Sequence, residues 1–352
     1  MLCKPLGVRL VKWYEKALSV VILSVATQRV ARRKPQAPCH FEPFVKRRKI
    51  QRNLKHALNL MDTSLSLSMT RENKSVRQNE YERTKMKIKF NNTECETNAS
   101  TSVEFLSSKS SDENDVWIIN GFCTREAVPL SEGDELFCIA RGIMPPREAL
   151  EAMMSSRHTP KVHNKLKKSV VAVCGLGGLG SNIAIMLARI GVGKLILIDF
   201  DVVEPSNLNR QSYFVEDLGK LKTKALSEQI AKINPFISTQ THALKITHEN
   251  IPTLFKGCDI VCEAFDSALA KAMLAQNFHK HFPQTTLICA SGLAGYGNSN
   301  EIKTRKIAQN FYMCGDLVSG AKVGNGLMAP RVNICAAHQA NLVLELLVQM
   351  KA

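Results

Sequence analysis

Residues 174–224 read CGLGGLGSNIAIMLARIGVGKLILIDFDVVEPSNLNRQSYFVEDLGKLKTK and concentrate the side chains that could do chemistry. Gly175, Gly177, Gly178 and Gly180 satisfy G-x-G-x-x-G, after the apolar run SVVAVC (169–174) and ahead of a helical stretch. Glycines in that setting let the backbone turn tightly and bring its amides up to a phosphate at a helix N-terminus. Asp199 ends the strand pattern KLILID (194–199), where a carboxylate accepts hydrogen bonds from ribose hydroxyls, and Asp201 stands beside it. These features suit NAD and ATP equally.

Arg210 in SNLNRQ (206–211), Lys222 three residues after Gly219, and Asp266 at the end of DIVCEAF (259–265) separate the two. A dehydrogenase keeps its pyrophosphate intact and has no need of cations gathered over it. Cleaving ATP between its α and β phosphates builds up charge there, which Arg210 and Lys222 would oppose. A carboxylate beside a triphosphate, such as Asp266, is a natural Mg²⁺ ligand. Asp266 could also cap a helix over 267–281; the two roles are compatible.

The elements that must position these groups follow from the apolar pattern. SVVAVC is a continuous apolar strand of the kind buried on both faces of a parallel sheet. A helix over 178–190, strand 194–199, a helix over 220–234, and strands at 237–244, 259–265 and 285–291 alternate along the chain. Helical stretches at 248–256 and 267–281 lie between the later strands. This predicts an α/β fold with a Rossmann-like, doubly wound, mostly parallel sheet. EIKTRKIAQNFYMC (301–314) reads as an antiparallel extension, residues 315–326 as a loop, and residues 329–350 as a closing helix.

Ahead of this domain, MKIKF (86–90) alternates like a strand, NNTE reads as a turn, 102–111 as a helix, and 116–121 and 135–142 as further strands. Two strands, a helix and two more strands predict a small β-grasp unit. The expected organisation is a disordered basic leader or mis-assigned start over 1–85, a β-grasp domain over 86–144, and the larger domain over 145–352. Residues 145–156 read as a helix with proline in its first turn, and 157–168 as a lead into the main domain.

Composition sets bounds on partners. The net charge is +16, yet residues 1–85 alone hold 19 Lys/Arg against 6 Asp/Glu, so the rest is close to neutral. With no nucleic-acid reader fold and no aromatic interleaving, no nucleic-acid partner is expected. The apolar run Ala17–Ala26 is too short to span a bilayer, though basic residues before it imitate a secretory signal. The 11 cysteines are scattered, several inside apolar strands, which suits reduced thiols in the cytoplasm. No CxxC pair is present, so no zinc is expected.

The run GLGGLGSNIAIMLARIGVGKLILIDFDVVEPSNLNRQ, with G-x-x-K after it, resembles the family that adenylates ubiquitin-like and sulfur-carrier proteins. That family includes ThiF, MoeB and the ubiquitin-activating enzymes. The short ThiF type is suggested by EAFDSALAKAML, SGLAGYGNSN and IKTRKIAQNFYMCGD, and the segment 86–142 is similar to the sulfur carrier ThiS. The resemblance implies an ATP-dependent homodimeric adenylyltransferase whose partner is a ThiS-like sulfur carrier, with a cysteine desulfurase downstream in thiamine thiazole synthesis. Other carriers, such as the molybdopterin synthase small subunit, and a tRNA threonylcarbamoyladenosine dehydratase are alternatives within it. An NAD dehydrogenase is the alternative outside it.

Residue by residue, the resemblance implies that Gly175, Gly177, Gly178 and Gly180 line the ATP loop and that Asp199, with Asp201 beside it, holds the ribose. Asn207, Arg210, Gln211 and Lys222 would surround the phosphates, and Asp266 would act through Mg²⁺. Lys271 matches a basic position of the family, and Arg157 its N-terminal arginine, which reaches into a partner subunit's site. Three departures stand out. The zinc-holding CxxC pairs of MoeB-like members are missing. No cysteine matches the one used for persulfide linkage, and Cys314, the loose candidate, reads better as a structural thiol. The ThiS-like segment runs on through Arg141-Gly142-Ile143 without a free Gly-Gly tail, so it reads as a docking or regulatory element, not as a substrate.

Overall fold

A computed structural model describes residues 85–350, apart from 111 and 160. The leader expectation for 1–85 and its apolar run 17–26 therefore lie outside the described residues, save for Lys85. The described chain forms two sheets. The first has five strands in the order β2-β1-β5-β3-β4, and the second has seven in the order β11-β12-β10-β9-β6-β7-β8.

The small sheet comprises β1 (Met86–Phe90), β2 (Thr93–Thr97), β3 (Val116–Ile119), β4 (Phe122–Cys123) and β5 (Glu135–Ile139). Its first and last strands pair in parallel at the centre, the arrangement of a β-grasp. Asn91 and Asn92 both take positive φ between β1 and β2, and Asn120 and Gly121 do so between β3 and β4. Such paired left-handed residues make the two-residue turn whose twist matches a hairpin. The two-residue β4 is a strand the sequence pattern did not reveal. The helix read over 102–111 is shorter, α1 (Ser102–Ser107), with Thr101 accepting from the Glu104 amide at its N-cap.

One face of this sheet packs under α1, through Ile88, Trp117, Ile119 and Leu136 against Phe105 and Leu106. The other face is taken by α2 (Arg147–Ser155): Ala152 and Met153 pack on Ile118 and Phe137. After α2 the chain turns at Arg157-His158 and enters α3 (Val162–Lys168), a helix where the sequence suggested only a lead. Glu151 of α2 bonds Lys167 of α3 at 2.8 Å. The Asn120-Gly121 turn abuts the same passage. A Cβ on Gly121 would lie 2.6 Å from the His158 carbonyl oxygen.

The large sheet is the expected doubly wound one. Its strands are β6 (Val170–Cys174), β7 (Lys194–Ile198), β8 (Ser238–His242), β9 (Ile260–Glu263), β10 (Thr286–Ala290), β11 (Lys303–Ala308) and β12 (Phe311–Gly315). All neighbours run parallel except the β11–β12 hairpin at one edge, which is the antiparallel extension. Side chains alternate strictly between two cores. Val171, Val173, Leu195, Leu197, Ile260 and Cys262 face α4 (Gly178–Arg189), α5 (Lys222–Ile233) and α8 (Ala329–Gln349). Ala172, Cys174, Ile196, Ile198 and Val261 face α6 (Ile251–Leu254) and α7 (Ala268–His281). Each fully buried aliphatic side chain contributes about 1.5–3 kcal/mol, which is why these central strands carry almost no polar residue. Strand order reverses between β6 and β9. In such sheets the ligand crevice opens at that point, outside the carboxyl ends of the strands. No helix among the described residues is long and apolar enough to cross a membrane.

Gly121→Ala combines a left-handed φ of 86° with a clash against backbone that cannot turn aside. It should cost roughly 2 kcal/mol. Thermal unfolding should then fall by about 4–8 °C. A melting temperature equal to that of the parent would remove the Asn120-Gly121 contact from the list of stabilising features.

Candidate functional site

The carboxyl ends of β6, β7 and β9 bring the sequence candidates to one edge. After β6 the chain passes through Gly175, with φ of 85°, into the first turn of α4. The four glycines are constrained to different degrees. A Cβ on Gly180 would sit 1.8 Å from the Gly175 carbonyl oxygen, and one on Gly175 would sit 2.9 Å from that of Ala264. These two are required by close backbone approach. Gly178 is close to the Val332 and Arg210 side chains, whereas Gly177 has only Gln211 Nε2 nearby, at 3.8 Å.

Asp199 braces this loop. One carboxylate oxygen accepts the Leu176 amide at 2.6 Å, and the other accepts the Asp201 amide at 2.8 Å. Tyr213 donates its hydroxyl to the Leu176 carbonyl at 2.8 Å; burial pushes its phenol well above the ordinary range, with Asp199 and Asp217 adding to the rise, so it stays a neutral donor. Asp199 is buried, but each oxygen keeps a further lone pair for a ribose hydroxyl.

The lysine enters the same network. Lys222, buried at the start of α5, donates to the Asp201 carboxylate at 3.0 Å, and its amide donates to the Asp201 carbonyl. Three hydrogen bonds in series thus join the Lys222 ammonium to the glycine loop through Asp201 and Asp199. Asn207 stabilises the short 3-10 turn Pro205–Asn207 by accepting the Glu204 amide, and its carbonyl accepts from the amides of Arg210 and Gln211. The stem of Arg210 runs past Gly178, its Nη1 donates to the Ser206 carbonyl and to Asn209, and its buried Nε has no partner among the described residues. The buried Oε1 of Gln211 is also without one.

Asp266 follows β9 across the crevice. It is exposed, and no hydrogen bond or ion pair to it is found among the described residues. The helix cap that the sequence allowed it belongs to Ser267, whose side chain accepts the Ala270 amide as α7 begins. Asp266 therefore has its carboxylate free. Magnesium is content with one or two carboxylates plus substrate phosphates, so this donor fits that ion. Among the described residues no three or more His, Cys, Asp or Glu gather around a common metal position.

Two further candidates lie away from the glycine loop or point elsewhere. The Lys271 ammonium donates to Glu263 at 2.7 Å. Arg157 is exposed and lines a separate pocket of about 480 Å³ with His158, Val162, Ile190, Leu344 and Glu345. Ile190 caps the far end of α4, whose twelve residues span about 18 Å from the glycine loop. Arg157 thus does not join the loop of its own chain. Cys314 is fully buried, with burial pushing its thiol up to about 11, offset in part by the Thr304 hydroxyl, so the thiolate needed for sulfur transfer is disfavoured.

Sequence reasoning missed the side chains that fix the loop. Ser181 donates to the Gly177 carbonyl and accepts the Ser212 amide. Asn182 donates to the carbonyls of Gly178 and Arg210 and accepts the Ser212 hydroxyl. Two adjacent polar residues in the first turn of an otherwise apolar helix were the available signal. The half-buried Asp316 pairs with the buried Arg331 and anchors the loop after β12. Burial alone would raise the Asp316 carboxyl. The Ser319 hydroxyl and amide, the Val318 amide and Arg331 outweigh it and hold the group at about 2.

Two tests follow from this geometry. Gly180→Ala should abolish nucleotide binding and lower the melting temperature, since the loop must open to admit the methyl group; unchanged titration with nucleotide would exclude the loop as the binding element. Because the folded pKa of Asp316 lies below its unfolded value, its contribution is full above about pH 5 and is lost as pH falls towards 2. Asp316→Asn should remove on the order of 2 kcal/mol at neutral pH and flatten the acid limb of stability. An acid limb identical to the parent's would show that Asp316 titrates normally.

Comparison with known proteins agrees with the geometry. Residues 151–352 match the ThiF family, and residues 86–142 match ThiS-like ubiquitin. The probable adenylyltransferase/sulfurtransferase MoeZ of Mycobacterium tuberculosis is 39% identical over 104 residues, covering 29% of this chain and 26% of that protein. Ubiquitin-like modifier-activating enzyme 5 of Dictyostelium discoideum is 41% identical over 95 residues, covering 27% and 25%. The adenylyltransferase and sulfurtransferase UBA4 of Saccharomyces cerevisiae is 36% identical over 137 residues, covering 38% and 30%. The chain thus spans less than a third of these curated relatives. Among solved structures, E. coli tRNA N6-threonylcarbamoyladenosine dehydratase TcdA, in complex with AMP, aligns with a TM-score of 0.52 at 19% identity, over 59% of this chain and 98% of that one. At that identity the likeness is one of fold. With its family match covering more than half its length and the glycine loop, aspartate brace and cation network inside that match, the chain belongs to the ThiF family.

Proposed function

We propose that the protein adenylates the C-terminal glycine carboxylate of a ThiS-like sulfur carrier, taking AMP from ATP and releasing pyrophosphate, in the thiazole branch of thiamine synthesis. The observation that carries this reading is the meeting of Arg210 and the Lys222–Asp201–Asp199 chain at a glycine loop in which Gly175 and Gly180 leave no room for a side chain. A nicotinamide enzyme has no use for cations there. The names of the curated relatives, adenylyltransferases and a modifier-activating enzyme, point the same way. TcdA has been solved with ATP as well as AMP, which suits the same crevice.

In this reading the loop amides and the N-terminus of α4 receive the phosphates, and Asp199 holds the ribose while keeping the loop closed. Arg210, Asn207, Gln211 and Lys222 orient the triphosphate and oppose the charge that develops on the departing pyrophosphate. A magnesium ion held by Asp266 and the phosphates would neutralise part of that charge. The carrier's carboxylate is already ionised at neutral pH, so no general base is required. It attacks the α-phosphorus, a new C–O–P linkage forms, and the bond to pyrophosphate breaks. Positioning and electrostatics supply the catalysis.

The buried Cys314 offers no persulfide route, so sulfur reaches the carrier from a separate donor such as a cysteine desulfurase, in the cytoplasm. The fused β-grasp segment has no free end, because its last strand runs on into α2, so the carrier is a separate chain. Arg157, exposed and remote from its own loop, suits a residue that serves a second copy in a homodimer.

Incubation of the protein and ATP with ThiS-type carriers, read by mass spectrometry, should show a carrier with added AMP. Asp266→Ala should lower ATP–pyrophosphate exchange by about 100-fold or more with an unchanged melting temperature. Unmodified carriers with full NAD affinity would replace this reading with the dehydrogenase one. Exchange unaffected by Asp266→Ala would remove that carboxylate from the reaction.

A further inference from the structure

Among the described residues, Glu263 is the one charged side chain fully buried within a strand of the large sheet, at the last position of β9. It is completely buried beside Cys174 of β6, its partner in register, with the Cys289 thiol of β10 as a neighbour. Its Oε1 accepts two hydrogen bonds, from the Phe265 amide at 2.6 Å and from the Lys271 ammonium at 2.7 Å. Its buried Oε2 has no nitrogen or oxygen partner among the described residues, and the Cys289 thiol lies against the carboxylate. Its backbone carbonyl is held from the opposite face by Gln339 of α8. Burying a carboxylate in this way is costly unless the structure needs it, and here the bond to Phe265 indicates the need.

The Phe265 amide lies in the turn that leads to Asp266. The same turn forms a wall of the glycine loop. The Ala264 carbonyl and the Phe265 ring lie 2.9 and 3.2 Å from where a Cβ of Gly175 would be, and the Ala264 amide bonds the Cys174 carbonyl. A shift of this turn would therefore move the Asp266 carboxylate and press on the first glycine together. Lys271, one turn into α7, is only partly exposed and directs its ammonium back at Glu263.

We infer that Glu263 is a positioning residue for the reaction, fixing the Ala264–Asp266 turn through the Phe265 amide, and that Lys271 acts as its counter-ion instead of touching the nucleotide. This rests on the adenylation reading above and assigns a role to a residue that reading does not use. Lys271 answers the charge of Glu263 so that the acceptor can be buried, and the turn then presents Asp266 to the crevice with no adjustment when ATP arrives.

Four variants of the full chain test this, each measured for ATP–pyrophosphate exchange with kcat and the ATP KM separated, and for melting temperature. Glu263→Gln keeps an acceptor for Phe265 and should stay within about threefold of the parent in kcat/KM, whereas Glu263→Ala loses it and should fall by about 10- to 100-fold. Lys271→Met strands the buried charge and should lose both stability and exchange. Adding Glu263→Gln to Lys271→Met removes that charge and should recover most of both. The inference is overturned if Glu263→Ala and Glu263→Gln behave alike, or if the double variant regains its melting temperature but keeps a raised ATP KM, which would make Lys271 a direct nucleotide ligand. A parent protein with no exchange at all would instead remove the adenylation reading itself.

Discussion

The glycine loop is a strip of backbone with almost no side chains to hold it, and it depends on one carboxylate. Asp199 accepts the Leu176 amide with one oxygen and the Asp201 amide with the other. Hydrogen bonds to an ionised acceptor are about twice as strong as neutral ones. The same residue therefore closes the loop and sets the start of the β7–α5 connection, which in turn carries Asp201, Asn207, Arg210 and Lys222. Loop shape and cation placement are consequences of a single anchor at the end of β7.

The rest of the crevice follows the same economy of polar groups at strand ends. The interior of the large sheet is apolar on both faces, and the charged side chains that enter it are paired or sit at the carboxyl edge. Glu263 with Lys271 shapes the wall beside β9, and Asp316 with Arg331 shapes the loop after β12. Tyr213, Ser181 and Asn182 tie the connection carrying Arg210 to the first turn of α4. Catalysis that relies on positioning, as the proposed adenylation does, is served by groups whose geometry is settled before substrate binds.

Much of this was legible in the sequence because it is local. Continuous apolar runs such as SVVAVC gave the central strands, and the glycine spacing gave the loop, within a residue or two at each end. What was hidden depended on three-dimensional neighbours or on backbone angles. Ser267, not Asp266, caps α7, because capping is decided by which side chain reaches the Ala270 amide. Glu263 lies inside the run DIVCEAF, and nothing in that run shows that it meets Lys271 eight residues on. Helix α3 was missed because VHNKLKK has only Val162 and Leu166 on an apolar face, and its stability comes from packing against the main core.

The covering of the second β-grasp face by α2 bears on mass action. A tethered ubiquitin-like module with a bare apolar face would meet its own enzyme at an effective concentration of ~mM and outcompete any free carrier present at lower levels. Ala152 and Met153 occupy that face, and the chain leaves the module as a helix and not as a loose end. Under the proposed adenylation, such a module would not compete with a carrier arriving from solution.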